Sequence, residues 1–408
     1  MTTSTPSSHL KRLVIVAGDP SGDHHGAKVI EALKQTHPDI EIAGIGGPEM
    51  ERAGQHQTDN QAQMGRVGLG SFLAIPQHMA MGKRLLEFMQ DFQPQLVLHI
   101  DYGMFNLWLA GQIKKTYPHV KTCHYIPPQV WASRRGRIQK IKRVMDHVCC
   151  IFPFETSLYE ENQIPVTYVG HPLAGQLPEP PAKATFFNDY GFDPSRPLIA
   201  LFPGSRNAEL DYHLEPMLEA IQRLNKQRKE QAEPPVQVGL AVASHFNQQA
   251  LQQRIEKIMN TLNGSAPSNI HIELIPNTNR HALQALANAA IIKSGTSTLE
   301  TALYQTPMTI VYKSHWLAGV IAKRLAYYPV LGLPNILVDP YQPIVSELLM
   351  EDMNADNMAR ELTALLNPES LAYQKAIKGY QTIQNLMPTE SAAQNVAKTL
   401  ERIIGHYH

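Results

Sequence analysis

Leu201-Phe202-Pro203-Gly204-Ser205-Arg206 and Ser294-Gly295-Thr296-Ser297-Thr298-Leu299-Glu300 share one form. In each, an apolar run meets a Gly/Ser turn, and a polar or charged residue opens a helix-like stretch. A turn of this kind at a strand-to-helix junction points free backbone N–H groups and a helix dipole at an anion. Arg206 adds a fork-shaped cation suited to phosphate. Glu300 adds a carboxylate suited to sugar hydroxyls. Two such elements in one half of the chain predict a nucleotide diphosphate site that carries a sugar.

Working outward, the second half repeats one pattern. Strands are expected at 198–202, 236–243, 270–275, 289–293 and 308–312, alternating with helices at 212–229, 248–262, 280–288 and 297–304. The first half does the same, with strands at 13–17, 40–45, 96–100, 122–126, 148–152 and 166–169 and helices at 27–34, 79–91 and 107–117. Such βαβ spacing predicts an α/β fold of two Rossmann-like, doubly wound domains. Ligands then sit at the carboxyl ends of both sheets, facing a cleft. The expected division is a tail at 1–12, a first domain at 13–176, a Pro-rich linker at 177–197, a second domain at 198–365 and C-terminal helices at 366–408. Those last helices are expected to return to the first domain or to a partner subunit.

The 408 residues carry 36 Lys+Arg against 36 Asp+Glu, so global charge gives nucleic acid no support as a partner. Cys123, Cys149 and Cys150 lack metal-like spacing and read as small buried apolar residues. No run approaches the roughly 18 apolar residues a membrane span needs, and the Ser/Thr-rich start has no signal-peptide core. Contact with a membrane is therefore expected from the side. No His pattern suggests a metal site.

Several motifs lie at predicted strand ends. Gly18-Asp19-Pro20-Ser21-Gly22-Asp23 follows the first strand without the spacing of a dinucleotide fingerprint or P-loop. Ser21 or Asp23 either touches an acceptor or caps the next helix. Asp101 ends a strand where a general base would sit, or caps the following turn. The loop from His124 to Arg135 holds Trp131 and opens a basic stretch. Arg134 is its best candidate for an anionic acceptor, the plain alternative being a solvated helix face. His171 reads as a hinge or packing residue. The Met- and Leu-rich stretch 64–89 is either an adaptable wall for acyl chains or an ordinary buried helix. Leu333-Pro334-Asn335 can place an amide at a ligand.

Together these motifs, with Gly44-Ile45-Gly46-Gly47-Pro48-Glu49-Met50, Met64-Gly65, Phe152-Pro153-Phe154-Glu155 and Val169-Gly170-His171-Pro172, occur in the order found in the lipid-A-disaccharide synthase family. The resemblance spans nearly the whole chain. It implies an inverting, metal-independent glycosyltransferase of GT-B type with no cofactor. The implied donor is a UDP-linked diacylglucosamine, the acceptor a diacylglucosamine 1-phosphate, and UDP is released. The family's suspected base falls on Asp101. Its UDP-sugar contacts fall on Gly204, Ser205, Arg206, Ser294, Gly295, Thr296, Glu300 and Asn335. Acceptor contacts are expected at Ser21, Trp131 and Arg134. The implied location is cytoplasmic, at the surface of the inner membrane, and a homodimer is left open. A UDP-sugar epimerase and a divergent homologue share the two-domain plan and stand as alternatives.

Three departures from the family pattern fall on the acceptor side. Gly68 stands near a usual Glu, Met104 replaces a second acid, and Ser133 replaces a second Trp. The donor motifs are intact.

Overall fold

Strand β1 (Arg12–Ala17) is buried along nearly its whole length, as is β4 (Leu96–Ile100), the mark of a parallel sheet covered on both faces. The computed structural model describes residues 10–60, 75–131, 136–263, 270–314, 328–387 and 390–405. The chain divides into two compact units, Met1–Gly175 with Met387–His408, and Gln176–Leu386.

In the first unit β1 and β4 lie side by side, Ala17 level with Ile100. Outward from β1 come β2 (Glu41–Gly46) and β3 (His56–Asn60). Outward from β4 come β5 (Lys121–Tyr125), β6 (His147–Cys150) and β7 (Val166–Tyr168). The order is β3-β2-β1-β4-β5-β6-β7, and every pairing is parallel. The order reverses between β1 and β4, so the loops leaving these two strands diverge and their carboxyl ends stand open. Helix α1 (Pro20–Thr36) begins at Asp19, whose carboxylate accepts from Gly22 N at 2.7 Å, with Pro at the first helical position. The cap is therefore Asp19, not Ser21 or Asp23. Buried Asp23 instead accepts from Gly47, Glu49 and Met50 N–H groups, capping the short helix α2 (Pro48–Ala53). Helices α3 (Ile75–Phe92), α4 (Gly103–Thr116), α5 (Arg137–Val144) and α6 (Glu155–Glu161) complete the crossovers.

The second unit repeats the arrangement. Strands β8 (Leu198–Phe202), β9 (Gln237–Val242), β10 (Ile272–Pro276), β11 (Ala289–Lys293), β12 (Met308–Tyr312) and β13 (Glu347–Leu349) run in the order β10-β9-β8-β11-β12-β13. Its reversal lies between β8 and β11, where Phe202 is level with Ile292. Helices α8 (Asn207–Glu230), α9 (Gln248–Asn263), α10 (Arg280–Leu286), α11 (Thr296–Leu303), α12 (Leu333–Val338) and α13 (Ala355–Leu365) follow.

Two segments behave differently from their sequence reading. Within the stretch read as a linker, α7 (Lys183–Asp189) buries Phe186 and Phe187 and packs them on Phe192. The C-terminal helices also separate. Helix α14 (Leu371–Leu386) stays in the second unit, with Tyr380 and Ile383 fully buried. Only α15 (Ala392–Gly405) joins the first unit, against α1, β5 and β6. Its apolar face buries Val396, Leu400 and Ile403. Asn395 donates to Val169 O at 3.1 Å and Thr36 to Glu401 at 3.1 Å.

Leu400 is fully buried. Leu400→Ala should destabilise the first unit by roughly 2–5 kcal/mol and leave the second unchanged. Hydrogen exchange in urea, followed separately for the two units, checks this.

Candidate functional site

The two strand-to-helix turns of the second unit leave adjacent strands at the same end. They line one cavity of about 250 Å3, its wall including Gly204, Ser205, Ser294, Gly295 and Thr296. Gly204 has φ +123°, and a Cβ there would come within 2.5 Å of Glu209. A side chain is excluded both by that clash and by backbone preference. Thr296 opens α11 and lines the cavity, so the wall includes the helix end whose first N–H groups lack i−4 partners within the helix. Two cations also line it: Lys293, the last residue of β11, and Arg280, the first of α10. The sequence reading assigned neither. Each was visible as a charged residue at the carboxyl side of a predicted strand.

The other donor-side residues sit differently. Arg206 is largely exposed and its guanidinium donates to Glu209 Oε1 at 3.1 Å; it is not among the residues lining the cavity. Glu300 is 4% exposed, accepting from Gln284 at 3.2 Å and pairing with Arg280 at 3.4 Å. It reaches the cavity wall through Arg280. Asn335 is fully buried. Its amide donates to Val345 O and Glu347 and its oxygen accepts from Val345 N, so it braces β13 against α12.

In the first unit Asp101 follows β4 directly. Asp101 and Tyr102 both take left-handed backbone angles, φ +46° and +44°, a strained conformation for residues with side chains. The surrounding bonds enforce it. Asn106 Nδ2 donates to Ile100 O at 3.0 Å and to Asp101 O at 2.7 Å, and His124 Nε2 donates to Asp101 O at 3.0 Å. Asp101 N donates to Tyr125 O at 3.0 Å. Burial holds His99 and His124 neutral, down to about 3 and about 4. His124 then carries its proton on Nε2 to make that bond. Behind this, Gly18 leaves room for the Tyr102 ring, which would lie 2.3 Å from a Cβ there.

The Asp101 carboxyl remains partly open to solvent. Burial pushes it up to about 6, the Asp19 charge adds to this, and the Tyr102 N–H bond opposes both. A carboxyl held near 6 ionises at neutral pH yet accepts a proton more readily than an ordinary aspartate, as a general base requires. His78, Tyr102, Phe105 and Trp108 form a chain of ring contacts on α3 and α4 beside it. Met104 is exposed on the same turn.

Of the acceptor-side residues, Ser21 is exposed on the first turn of α1. Trp131 is buried, edge-on to Phe154 at 5.1 Å, and its Nε1–H donates to Glu155 Oε1 at 2.8 Å. Arg134 lies outside the described residues, as does the part of the Met-rich stretch before Ile75. Within α3 the buried-helix reading applies to Met81, Leu85 and Met89, which belong to the core, while Met79 is exposed.

A family model described as lipid-A-disaccharide synthetase matches residues 13–400. Lipid-A-disaccharide synthase of Coxiella burnetii is 36% identical over 398 residues, covering 97% of this chain and 99% of that protein. Among solved structures, a glycosyltransferase of Rickettsia africae aligns with TM-score 0.60 at 10% identity over 98% and 99% of the two chains. UDP-GlcNAc 2-epimerase of Neisseria meningitidis aligns with TM-score 0.59 at 13% identity over 96% and 100%. At such identities the structures establish the GT-B fold alone, which transferases and epimerases share.

Glu155 is 1% exposed, and burial raises its carboxyl to about 7 against the bonds from Trp131, Phe152 and Ile151. Between the ordinary value near 4.5 and about 7 the folded state holds a proton that the unfolded chain has lost. The contribution of this group to stability therefore falls as pH rises through this window, by about 3 kcal/mol, and is level above it. Glu155→Gln should remove that contribution. Urea unfolding of the first unit at pH 5 and pH 8 checks it: wild type should lose stability relative to the variant at the higher pH.

Proposed function

The chain belongs to the lipid-A-disaccharide synthase family and is a hexosyltransferase of lipid A biosynthesis; from that premise we propose its substrates and chemistry. It joins UDP-2,3-diacylglucosamine to 2,3-diacylglucosamine 1-phosphate, forming lipid A disaccharide 1-phosphate and UDP with inversion and without a metal. The observation that carries this reading is the second unit's cavity, where two Gly/Ser turns and two cations share one wall. That wall suits a nucleotide diphosphate.

In this mechanism the Asp101 carboxylate accepts the proton of the acceptor hydroxyl as its oxygen bonds to the donor's anomeric carbon. The anomeric C–O bond to the diphosphate breaks, and its electron pair leaves on a phosphate oxygen. Gly204, Ser205 and Ser294 shape the two turns, and the N–H groups at Gly295 and Thr296, where α11 begins, meet that developing charge with cationic support from the same wall. Arg206 holds the turn through Glu209 at the donor site. Glu300 and Asn335 complete the donor site, Glu300 by orienting Arg280 and Asn335 by bracing the wall behind it. Ser21, Trp131 and Arg134 serve the acceptor, Arg134 taking its 1-phosphate.

Exposed Met79 and Met104 on α3 and α4 offer apolar surface for acyl chains. Among the described residues no helix is long and apolar enough to cross a membrane. The enzyme acts from the cytoplasm at the inner-membrane surface, where its lipid substrates present their headgroups.

Purified protein given both substrates should release UDP, and Asp101→Asn should slow this by at least about 100-fold. The base must be ionised, so kcat should fall about tenfold per pH unit below pH 6 and level off above it. Coupled UDP assays across pH 5–9 measure both effects. UDP release without acceptor, or an unchanged Asp101→Asn rate, would sink this mechanism.

A further inference from the structure

Glu209 gathers the donors that a phosphate would use. Its Oε2 accepts from Ser205 N at 2.8 Å and Arg206 N at 3.3 Å. Its Oε1 accepts from the Arg206 guanidinium at 3.1 Å and lies 3.0 Å from Lys293 Nζ. Burial disfavours charge on this carboxyl, but the Lys293 and Ser205 bonds outweigh it and hold the group below its ordinary range. Arg206 and the N–H groups of Ser205 and Arg206 are thus directed at an internal anion.

Lys293 differs from them. Its ammonium is 18% exposed and lines the cavity. An ammonium has three N–H donors, and Glu209 Oε1 engages one. Lys293 ends β11 immediately before Ser294, so its backbone is fixed by the sheet rather than by a loop. Arg280 also faces the cavity but pairs with Glu300. Among the charged side chains lining the cavity, Lys293 and Arg280 oppose Glu209, so the wall is cationic by one charge before any ligand arrives.

We propose that Lys293 binds the diphosphate of the nucleotide-sugar donor directly, with Glu209 anchoring its ammonium at the cavity wall. This rests on the donor-site reading of the second unit. It moves the principal phosphate contact from Arg206, the cation the sequence suggests, to a lysine at a strand end. The same ammonium meets the charge that accumulates on the departing diphosphate.

Titration calorimetry with UDP and with uridine tests this. Lys293→Ala should weaken UDP binding roughly 10- to 100-fold, the range for a charge-assisted bond, and leave uridine binding unchanged. Lys293→Arg should recover most of the loss. Removing the lysine also leaves the Glu209 charge less opposed, so the substitution is repeated in a Glu209→Gln background. A direct phosphate contact still loses at least about tenfold there. UDP affinity within twofold of the parent in either background overturns the proposal, as does an equal loss for UDP and uridine. Wild-type protein that binds neither ligand overturns the donor-site reading itself, and the proposal with it.

Discussion

Two neighbouring parallel strands whose connections depart in opposite directions cannot have their carboxyl ends covered by the same loop. Both candidate sites of this protein follow from that constraint, applied once in each unit. In the first unit it leaves the turns after β1 and β4 side by side, bringing Asp19 close enough to raise the Asp101 carboxyl. In the second it opens the turns after β8 and β11 onto one cavity. The largely buried, mostly apolar strands that flank each reversal hold these ends in place.

The two sites treat charge in opposite ways. Around Asp101 the fold supplies burial, a second carboxylate and two neutral histidines, so a proton is welcome there. The bonds from Asn106 and His124 end on the Asp101 carbonyl. They hold the strained backbone without quenching the carboxylate. Around the second cavity the fold does the reverse. It concentrates N–H groups, Lys293 and Arg280, and checks them with Glu209 and Glu300. In the proposed mechanism, proton acceptance and anion stabilisation therefore fall to separate sheets of one architecture.

Much of this was legible in the sequence, because long apolar runs bounded by Gly, Ser and Pro carry their own strand and turn signals. Asp101 and the paired turns could be placed from β4, β8 and β11 alone. The edge strands β3 and β13 could not. His56–Asn60 is almost wholly polar and Glu347–Leu349 has three residues, so neither shows the continuous burial of an inner strand. Helix α7 hid because Phe186 and Phe187 lie in a segment whose prolines suggested a linker. In the second unit, Arg206 reads as a phosphate cation because it follows Gly204-Ser205, and its bond to Glu209, three residues later, is not visible from that motif. Asn335 looked like a ligand contact because of its Pro-Asn turn, and its amide instead closes a buried network with Val345 and Glu347. Local patterns located the turns; which side chains satisfy one another across a turn depends on distances that sequence order does not encode.

The return of α15 to the first unit has a consequence for biosynthesis. The second unit is one uninterrupted segment, whereas the first is begun at the start of the chain and closed only by residues after Met387. Roughly 210 residues separate its two parts, which at bacterial elongation rates is a delay on the order of 10–40 s. Throughout that interval the surface of α1, β5 and β6 that α15 will cover stays exposed on the nascent chain. The half of the enzyme that emerges first is therefore the half completed last, and it must remain soluble while the other folds.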